Sequence, residues 1–130
     1  MRLTLPFPPT VNHYWGERAV GRRVMVYVSA EGKAYKADVL AYVLSTFGKL
    51  KPLRGRLAVT AVIHAPDNRR YDLDNRWKGI LDSLKAASVI EDDWLIDDLR
   101  ILRGPVSHER PRVEVSIEEL PEEFFDCAVQ

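Results

Sequence analysis

The alternation of apolar and polar residues along the chain predicts four short strands. They cover residues 2–5, 56–64, 99–106 and 112–120. The last two are joined by SHERP, so we expect them to form a hairpin. The prolines of PFPPT end the first strand, because proline lacks the amide donor that a sheet ladder needs. Residues 12–28 hold two glycines and mixed charge, and they predict an exposed loop or a poorly ordered hairpin.

Two further segments follow helical spacing. In residues 29–50, Ser29 is suited to cap the first turn, Glu31 complements the positive helix N-terminus, and Gly48 provides a stop. The second helix is predicted to begin near Asp74. Its apolar face consists of Leu73, Trp77, Ile80, Leu81 and Leu84. The neighbouring polar stripe consists of Asp74, Lys78, Asp82 and Lys85.

The order of elements is strand, helix, strand, helix, strand, strand. It predicts an α+β domain in which two main helices pack against one small mixed β-sheet. The length suits one domain, which we expect over residues 1–120, followed by an acidic C-terminal tail over residues 121–130.

Charge is distributed unevenly, although the chain as a whole is neutral. Six of the 19 acidic residues follow Arg112, and no lysine or arginine does. Residues 1–112 therefore carry 19 basic and 13 acidic residues. A basic body with an acidic tail favours a polyanionic partner, although scattered surface charge would give the same composition.

The single cysteine, Cys127, cannot form a disulfide within the chain, which is typical of proteins in a reducing cytoplasm. No apolar run approaches the roughly 20 residues that cross a bilayer. The N-terminal MRLTLPFPPT is too short and too rich in proline for a secretory signal. We therefore expect a cytoplasmic protein without a membrane partner.

The segment RRYDLDNRWK, residues 69–78, mixes two acids with four bases. The acids are Asp72 and Asp74, and the bases are Arg69, Arg70, Arg76 and Lys78. Isolated surface ion pairs stabilise proteins little, so stability alone does not explain this crowding. Phosphodiester hydrolysis would use both signs, with acids holding a metal ion and bases holding phosphate. The three arginines are candidate DNA-binding residues, and Lys78 is suited to stabilise the transition state or orient the nucleophile.

The two acids can converge if the backbone changes between them. Side chains two residues apart diverge within a helix but share one side of an extended chain. If the chain is extended through Asp72 and helical from Asp74, both carboxylates converge, with Lys78 one turn further along. Such a pair suits Mg2+, which takes a few carboxylates together with waters and substrate phosphates. A third acid would come from Glu91, Asp92, Asp93, Asp97 and Asp98, and spacing does not choose among them.

A purely structural interpretation explains the same acids. An Asp-x-Asp pair at a helix start often caps amides and complements the helix dipole, and the arginines would then screen the acids. In that case the chain would be a non-catalytic nucleic-acid-binding protein. The segment does not match an EF-hand, because it lacks the required glycine and the later glutamate.

Three segments together resemble the RusA family of Holliday junction resolvases, which are crossover junction endodeoxyribonucleases. DLDNRWKGILDSLKAASVIEDD holds an Asp-x-Asp-Asn, a Lys, an Asp-x-Leu and an Asp-Asp pair in the family's order. LTLPFPPTVNHYW is similar to the family's opening strand, and VSAEGKAY is similar to the start of its first helix. The resemblance extends over most of residues 2–120, whereas PEEFFDCAVQ departs from the pattern.

The resemblance implies a RusA-like fold and a homodimeric, Mg2+-dependent endonuclease that cuts four-way DNA junctions symmetrically. It implies that Asp72, Asp74 and Asp93 bind the metal, that Lys78 is catalytic and that Asn75 supports the site. Asp93 is selected here by the resemblance alone. A two-fold dimer would match the two-fold symmetry of a junction. A nuclease for other branched DNA, such as flaps or forks, fits the same residues.

Overall fold

Six strands and two helices make up the part of the chain that the structure, a computed structural model, describes: residues 1–10 and 15–121. In chain order they are β1 (Arg2–Pro6), β2 (Trp15–Val20), β3 (Arg23–Val28), α1 (Ala30–Phe47), β4 (Leu57–His64), α2 (Trp77–Ala86), β5 (Ile96–Arg103) and β6 (Arg112–Glu119). Short 3-10 turns, Leu73–Asn75 and Asp93–Leu95, flank α2. Of the predicted acidic tail, only Pro121 lies within the described residues. The α+β prediction is confirmed.

Four strands form one mixed sheet in the order β1-β6-β4-β5. β6 pairs antiparallel with both β1 and β4, whereas β4 and β5 are parallel. The predicted hairpin between the last two strands is therefore wrong, because β4 lies between them. Alternation identified both strands but not their neighbours. The crossover through α2 makes β5 the parallel neighbour of β4, and β5 begins at Ile96, three residues before the predicted strand 99–106.

Both helices pack on one face of this sheet. Alternate residues of the strands are buried against them, namely Leu3, Leu5, Leu57, Val59, Ala61, Ile63, Val113, Val115 and Ile117. The helices contribute Tyr35, Val39, Val43, Ile80, Leu81 and Leu84 to the same core. The predicted apolar face of α2 is thus confirmed, with Leu73 and Trp77 partly buried at its edge. No helix in the described residues is long and apolar enough to span a bilayer.

The ends of α1 match the predicted signals. The Gly32 amide donates to the Ser29 hydroxyl at 3.1 Å, and Gly48 ends the helix with φ 74°. By contrast, α2 begins at Trp77 and not near Asp74, because the 3-10 turn and Arg76, with φ −110°, come first. Residues 12–14 of the segment 12–28 lie outside the described residues. For the rest, the hairpin is observed, and β2 and β3 pair with each other in a separate two-stranded sheet.

Candidate active site

Asp72 and Asp74 lie in the turn that leads into α2. Asp72 is extended, with φ −90° and ψ 132°, and the 3-10 turn Leu73–Asn75 follows at once. The Asn75 amide donates to the Asp72 carbonyl oxygen at 3.2 Å, which closes the turn. The backbone therefore changes from extended to 3-10 helical between the two acids, which is close to the condition under which the sequence allows both carboxylates to converge.

Neither carboxylate caps α2 with a side-chain hydrogen bond. The Asp72 side chain makes no capping hydrogen bond, and the N-cap residue of α2 is Arg76, whose side chain makes none either. Both acids are exposed, and within residues 1–10 and 15–121 neither has an ion pair or a side-chain hydrogen bond. The capping hydrogen bonds that the structural interpretation expects are therefore not formed at this turn, and both carboxylates are available for a cation.

Two exposed arginines precede the acids. Arg69 has a side chain that is 90% exposed, with its Nε 3.5 Å from Asp67. Arg70 is exposed and has no acidic partner among the residues described. It lines a cavity of about 300 Å³ together with Thr10, Tyr71, Asp72, Asn75 and Arg76. A cationic side chain and an unneutralised carboxylate thus share one depression, as a phosphate and its metal ion would require.

Lys78 lies on the first turn of α2 and is half-buried. Its Nζ is 5.7 Å from the centre of the Trp77 ring, and no acid within the described part of the chain pairs with it. By contrast, two other residues of the predicted polar stripe are paired, Asp82 with Lys36 at 3.1 Å and Lys85 with Asp92 at 3.5 Å. The ammonium group of Lys78 therefore remains free to meet an anion.

Arg76 differs from Arg69 and Arg70 because its guanidinium contacts protein. Its Nη1 donates to the Pro8 carbonyl oxygen at 2.6 Å, and its Cζ lies 4.6 Å from the Phe7 ring and 5.5 Å from the Tyr71 ring. Burial lowers the pKa of this guanidinium. Arg103 contacts Tyr71 as well. Its Cζ lies 4.4 Å from the centre of the Tyr71 ring, and its Nη2 donates to the Tyr71 carbonyl oxygen at 2.9 Å. Sequence analysis missed this cluster, because its members come from three distant segments and no periodic pattern links them.

The acidic segment after α2 consists mainly of neutralised side chains. Four of its five acids have basic partners: Glu91 with Arg54 at 2.9 Å, Asp92 with Lys85 at 3.5 Å, Asp97 with Arg56, and Asp98 with Arg100 at 3.3 Å. Asp93 is the one acid of the five without a cationic partner in the described residues. The pKa of Asp92 lies below its usual range. The largest cause is its hydrogen-bonding interaction with Asp93, and the Trp94 amide and Lys85 lower the pKa further. The structure thus distinguishes Asp93 where spacing did not.

Asp93 lies at the opposite end of α2 from Asp72 and Asp74. Asp74 precedes the first turn of this helix, whereas Asp92 contacts Lys85 in its last turn. Ten helical residues span about 15 Å. Accordingly, no three acidic, histidine or cysteine side chains in residues 1–10 and 15–121 come close enough together to hold a metal ion. A single chain does not assemble the predicted set of three aspartates.

Trp94, next to Asp93, is another feature that sequence analysis did not single out. Its side chain is 68% exposed, and the Arg56 guanidinium lies 4.7 Å from its ring centre. Arg56 Nε donates to Asp97 at 2.9 Å, and its Nη2 donates to the Trp94 carbonyl oxygen at 3.0 Å. These bonds hold the 3-10 turn that carries Asp93 against the start of β4.

Comparison with known proteins identifies the family. The model of the family described as Endodeoxyribonuclease RusA matches residues 6–118. The crossover junction endodeoxyribonuclease rusA of Enterobacteria phage HK97 is 39% identical over 107 residues, which are 79% of this chain and 82% of that protein. The crossover junction endodeoxyribonuclease RusA of Escherichia coli strain K12 is 35% identical over 124 residues, 93% of this chain and 96% of that protein. The chain therefore belongs to the RusA family of endodeoxyribonucleases, as its motifs predicted.

Proposed function

We propose that this chain is a Mg2+-dependent, structure-selective endodeoxyribonuclease that resolves four-way DNA junctions by paired, symmetric cuts in the cytoplasm. Its relatives carry the name crossover junction endodeoxyribonuclease. The observation that carries the proposal is the state of Asp72, Asp74 and Asp93. These three acids lack a cationic partner among the described residues, although bases neutralise the acids around them.

The three aspartates are the residues that would hold the metal. Unneutralised carboxylates are hard oxygen donors of the kind that Mg2+ prefers. When bound, Mg2+ supplies an activated water and stabilises charge on the leaving oxygen. Their donor chemistry fits the ion, but their positions fit it only if the acids come from two chains.

The basic residues act on the DNA backbone. Arg69 and Arg70, both exposed, bind phosphates on either side of the cut. Lys78 donates a hydrogen bond to the phosphate oxygen on which negative charge grows. Asn75 lines the same cavity as Asp72 and supports the turn through its amide hydrogen bond. Arg76 belongs to the predicted DNA-binding set, although its contacts with Phe7, Pro8 and Tyr71 limit its reach.

A homodimer resolves the separation of the acids. With Asp93 at one end of α2 and Asp72 and Asp74 at the other, a two-fold pair of chains can place Asp93 of one copy beside Asp72 and Asp74 of the other. Such a dimer has two equivalent composite sites, one for each of the two strands that a symmetric resolution cuts.

The first experiment compares wild type with Asp72→Asn on an end-labelled four-way junction, a flap, a fork and linear duplex, each with Mg2+. We expect paired nicks on the junction by wild type and at least a roughly 100-fold loss of cleavage, with binding retained, for the variant. Glu118→Gln, an exposed acid on β6, is the matched control and should cleave normally. Metal-independent binding without nicks by all three proteins would favour the non-catalytic alternative. Preferential cutting of flaps or forks would reassign the substrate.

A complementation experiment tests the composite site. Asp72→Asn and Asp93→Asn are each expected to be inactive alone. A mixed dimer would contain one site with all three acids intact, so mixing the two variants should restore nicking of one strand. If the three acids acted within one chain, every site in the mixture would lack an acid, and no activity would return.

A further inference from the structure

Trp94 presents an exposed aromatic ring at the candidate site. Its side chain is 68% exposed, although tryptophan is on average a well-buried residue. It lies in the 3-10 turn Asp93–Leu95, directly after the acid that the proposed function assigns to the metal. Consecutive Cα atoms are about 3.8 Å apart, so a ring at this position reaches the nucleotides beside a phosphate held at Asp93. Neither the hydrophobic core nor the proposed chemistry uses this ring.

Contacts on one side hold the Trp94 ring in place. The Arg56 guanidinium lies 4.7 Å from the ring centre, and its Nη2 donates to the Trp94 carbonyl oxygen at 3.0 Å. Asp97 accepts a hydrogen bond from Arg56 Nε at 2.9 Å and another from its Nη2, so the guanidinium is itself fixed. A flat ring that is supported on one face and exposed on the other can stack on a ligand with little loss of conformational freedom.

A basic loop lies beside the same turn. The Leu53 amide donates to the Val89 carbonyl oxygen at 3.0 Å, and the Glu91 amide donates to the Leu53 carbonyl oxygen at 2.9 Å. These bonds join the loop before β4 to the segment that leads to Asp93. Lys51 in this loop is exposed and has no acidic partner within the described part of the chain. A free cation next to an exposed ring favours a nucleic-acid strand over an apolar protein partner, because a strand offers both phosphates and bases.

We propose that Trp94 stacks on a nucleobase at the branch point of the DNA, beside the cut. This inference rests on the proposed function and names the DNA group that the Asp93 turn meets. The continuous base stack of duplex DNA is interrupted at a branch point, so the face of a base becomes available to a side chain. Stacking on an aromatic ring tolerates every base. Trp94 therefore helps to place the branch point at the metal without selecting a sequence.

A double-mutant cycle between the protein and the DNA tests this contact. Wild type and Trp94→Ala are titrated with an intact four-way junction and with junctions that lack a single base at successive nucleotides beside the cut. Mg2+ is left out so that no strand is cut. We expect Trp94→Ala to bind the intact junction roughly tenfold more weakly. At one abasic position wild type should weaken by the same factor, and the variant should weaken no further. Losses that multiply at every position would overturn the proposal.

Further variants show whether the aromatic face matters. Trp94→Phe keeps such a face and should recover most of the affinity, whereas Trp94→Leu keeps apolar bulk alone and should bind like Trp94→Ala. Leu40→Ala is the matched control, because it removes an apolar side chain that is 39% exposed in the middle of α1, and it should bind like wild type. Equal affinities of the Phe and Leu variants would overturn the proposal.

Stability, mass and activity separate the remaining outcomes. Since most of the ring is exposed, Trp94→Ala should melt close to wild type; a large fall in melting temperature with an unchanged abasic effect would make Trp94 structural and overturn the proposal. A change in its light-scattering mass would mean that a second copy of the chain covers the ring, which also overturns it. Failure of wild type to cut any branched DNA would overturn the proposed function, whereas normal cutting without coupling to a base would overturn the stacking alone.

Discussion

The Arg76 guanidinium donates a hydrogen bond to the Pro8 carbonyl oxygen over 2.6 Å and thereby joins the start of α2 to the chain that follows β1. The Phe7 and Tyr71 rings flank this bond, and they pack edge to face with their centres 6.4 Å apart. Tyr71 and Arg76 bracket Asp72 and Asp74 in sequence. Their contact therefore fixes both ends of the turn that carries the two acids.

Arg76→Ala is expected to lower the free energy of unfolding by about 1–3 kcal/mol, because a charge-assisted hydrogen bond and a cation–π contact are lost. Arg76→Lys should recover only part of this, because an ammonium group lacks the planar fork. Thermal or urea unfolding measures the effect. If Arg76 served only to bind DNA, both variants would unfold like wild type and differ only in junction affinity.

Arg70→Ala should show the reverse pattern. Arg70 has no acidic partner in the described residues, so the melting temperature should stay unchanged. Junction affinity should fall, and the slope of log K against log salt should become shallower by about 0.9, the value for one lost phosphate contact. Fluorescence anisotropy at several salt concentrations measures both quantities, and Arg54→Ala, which removes a cation already paired with Glu91, is the control. An unchanged slope would contradict the phosphate role.

Asp93→Asn and Asp97→Asn should separate metal binding from stability. Asp93 has no cationic partner in the described residues, so its variant should fold normally and lose cleavage by at least about 100-fold. Asp97 accepts two hydrogen bonds from Arg56, so its variant should melt earlier and, once folded, still cleave. Asp92→Asn tests whether the neighbouring acid contributes. Comparable cleavage by the Asp93 variant and wild type would exclude Asp93 from the site.

The ion pair of Asp97 and Arg56 also predicts a dependence on pH. The hydrogen bond from Arg56 lowers the pKa of Asp97 in the folded chain. The pair therefore stabilises the fold fully above the unfolded value of about 3.9, and this contribution is lost as the pH falls through the lower folded value. The difference in melting temperature between wild type and Asp97→Asn should accordingly be largest near neutral pH and shrink below about pH 4. A constant difference from pH 7 to pH 3 would contradict this origin.

Gly104→Ala should be strongly destabilising. A Cβ atom at Gly104 would lie 2.7 Å from His64 Cε1 and 2.8 Å from Val62 Cγ1. His64 is buried, and its Nδ1–H donates to the Pro105 carbonyl oxygen at 2.8 Å, so the ring cannot move without breaking that bond. We expect a loss of about 1–3 kcal/mol in unfolding free energy. Gly55→Ala is the control, since its nearest neighbour would be 3.7 Å away, and equal stabilities would contradict the prediction.

Local signals predicted the elements of this fold better than their arrangement. The Ser29 cap, the Gly48 stop and the apolar face of α2 depend on neighbouring residues, and each is observed. The pairing of β5 depends on the path of the crossover through α2, which alternation along β5 does not encode. The start of α2 was misplaced for a related reason, since the local pattern shows neither the 3-10 turn Leu73–Asn75 nor the contacts that Arg76 makes with Phe7 and Pro8.

The sequence indicates which residues compose the candidate site but not how they are brought together. Charge crowding around Asp72 and Asp74 indicated metal and phosphate chemistry, and side-chain geometry showed that a change of backbone between them, which the structure has, would let the two carboxylates converge. The resemblance to the family selected Asp93, but spacing could not, because the structural distinction of Asp93 depends on which acids the long basic side chains neutralise, and those pairs join residues up to 41 positions apart. Their distances cannot be deduced from spacing along the sequence.

The interior place of β6 has a consequence for synthesis of the chain. β6 spans Arg112–Glu119, yet it lies between β1 and β4, which are made much earlier. While the chain emerges from the ribosome, β1 has no partner strand and one side of β4 stays open until residue 119 is available. A nascent or prematurely terminated chain therefore lacks a closed sheet, which exposes it to quality-control proteases before it can act on DNA.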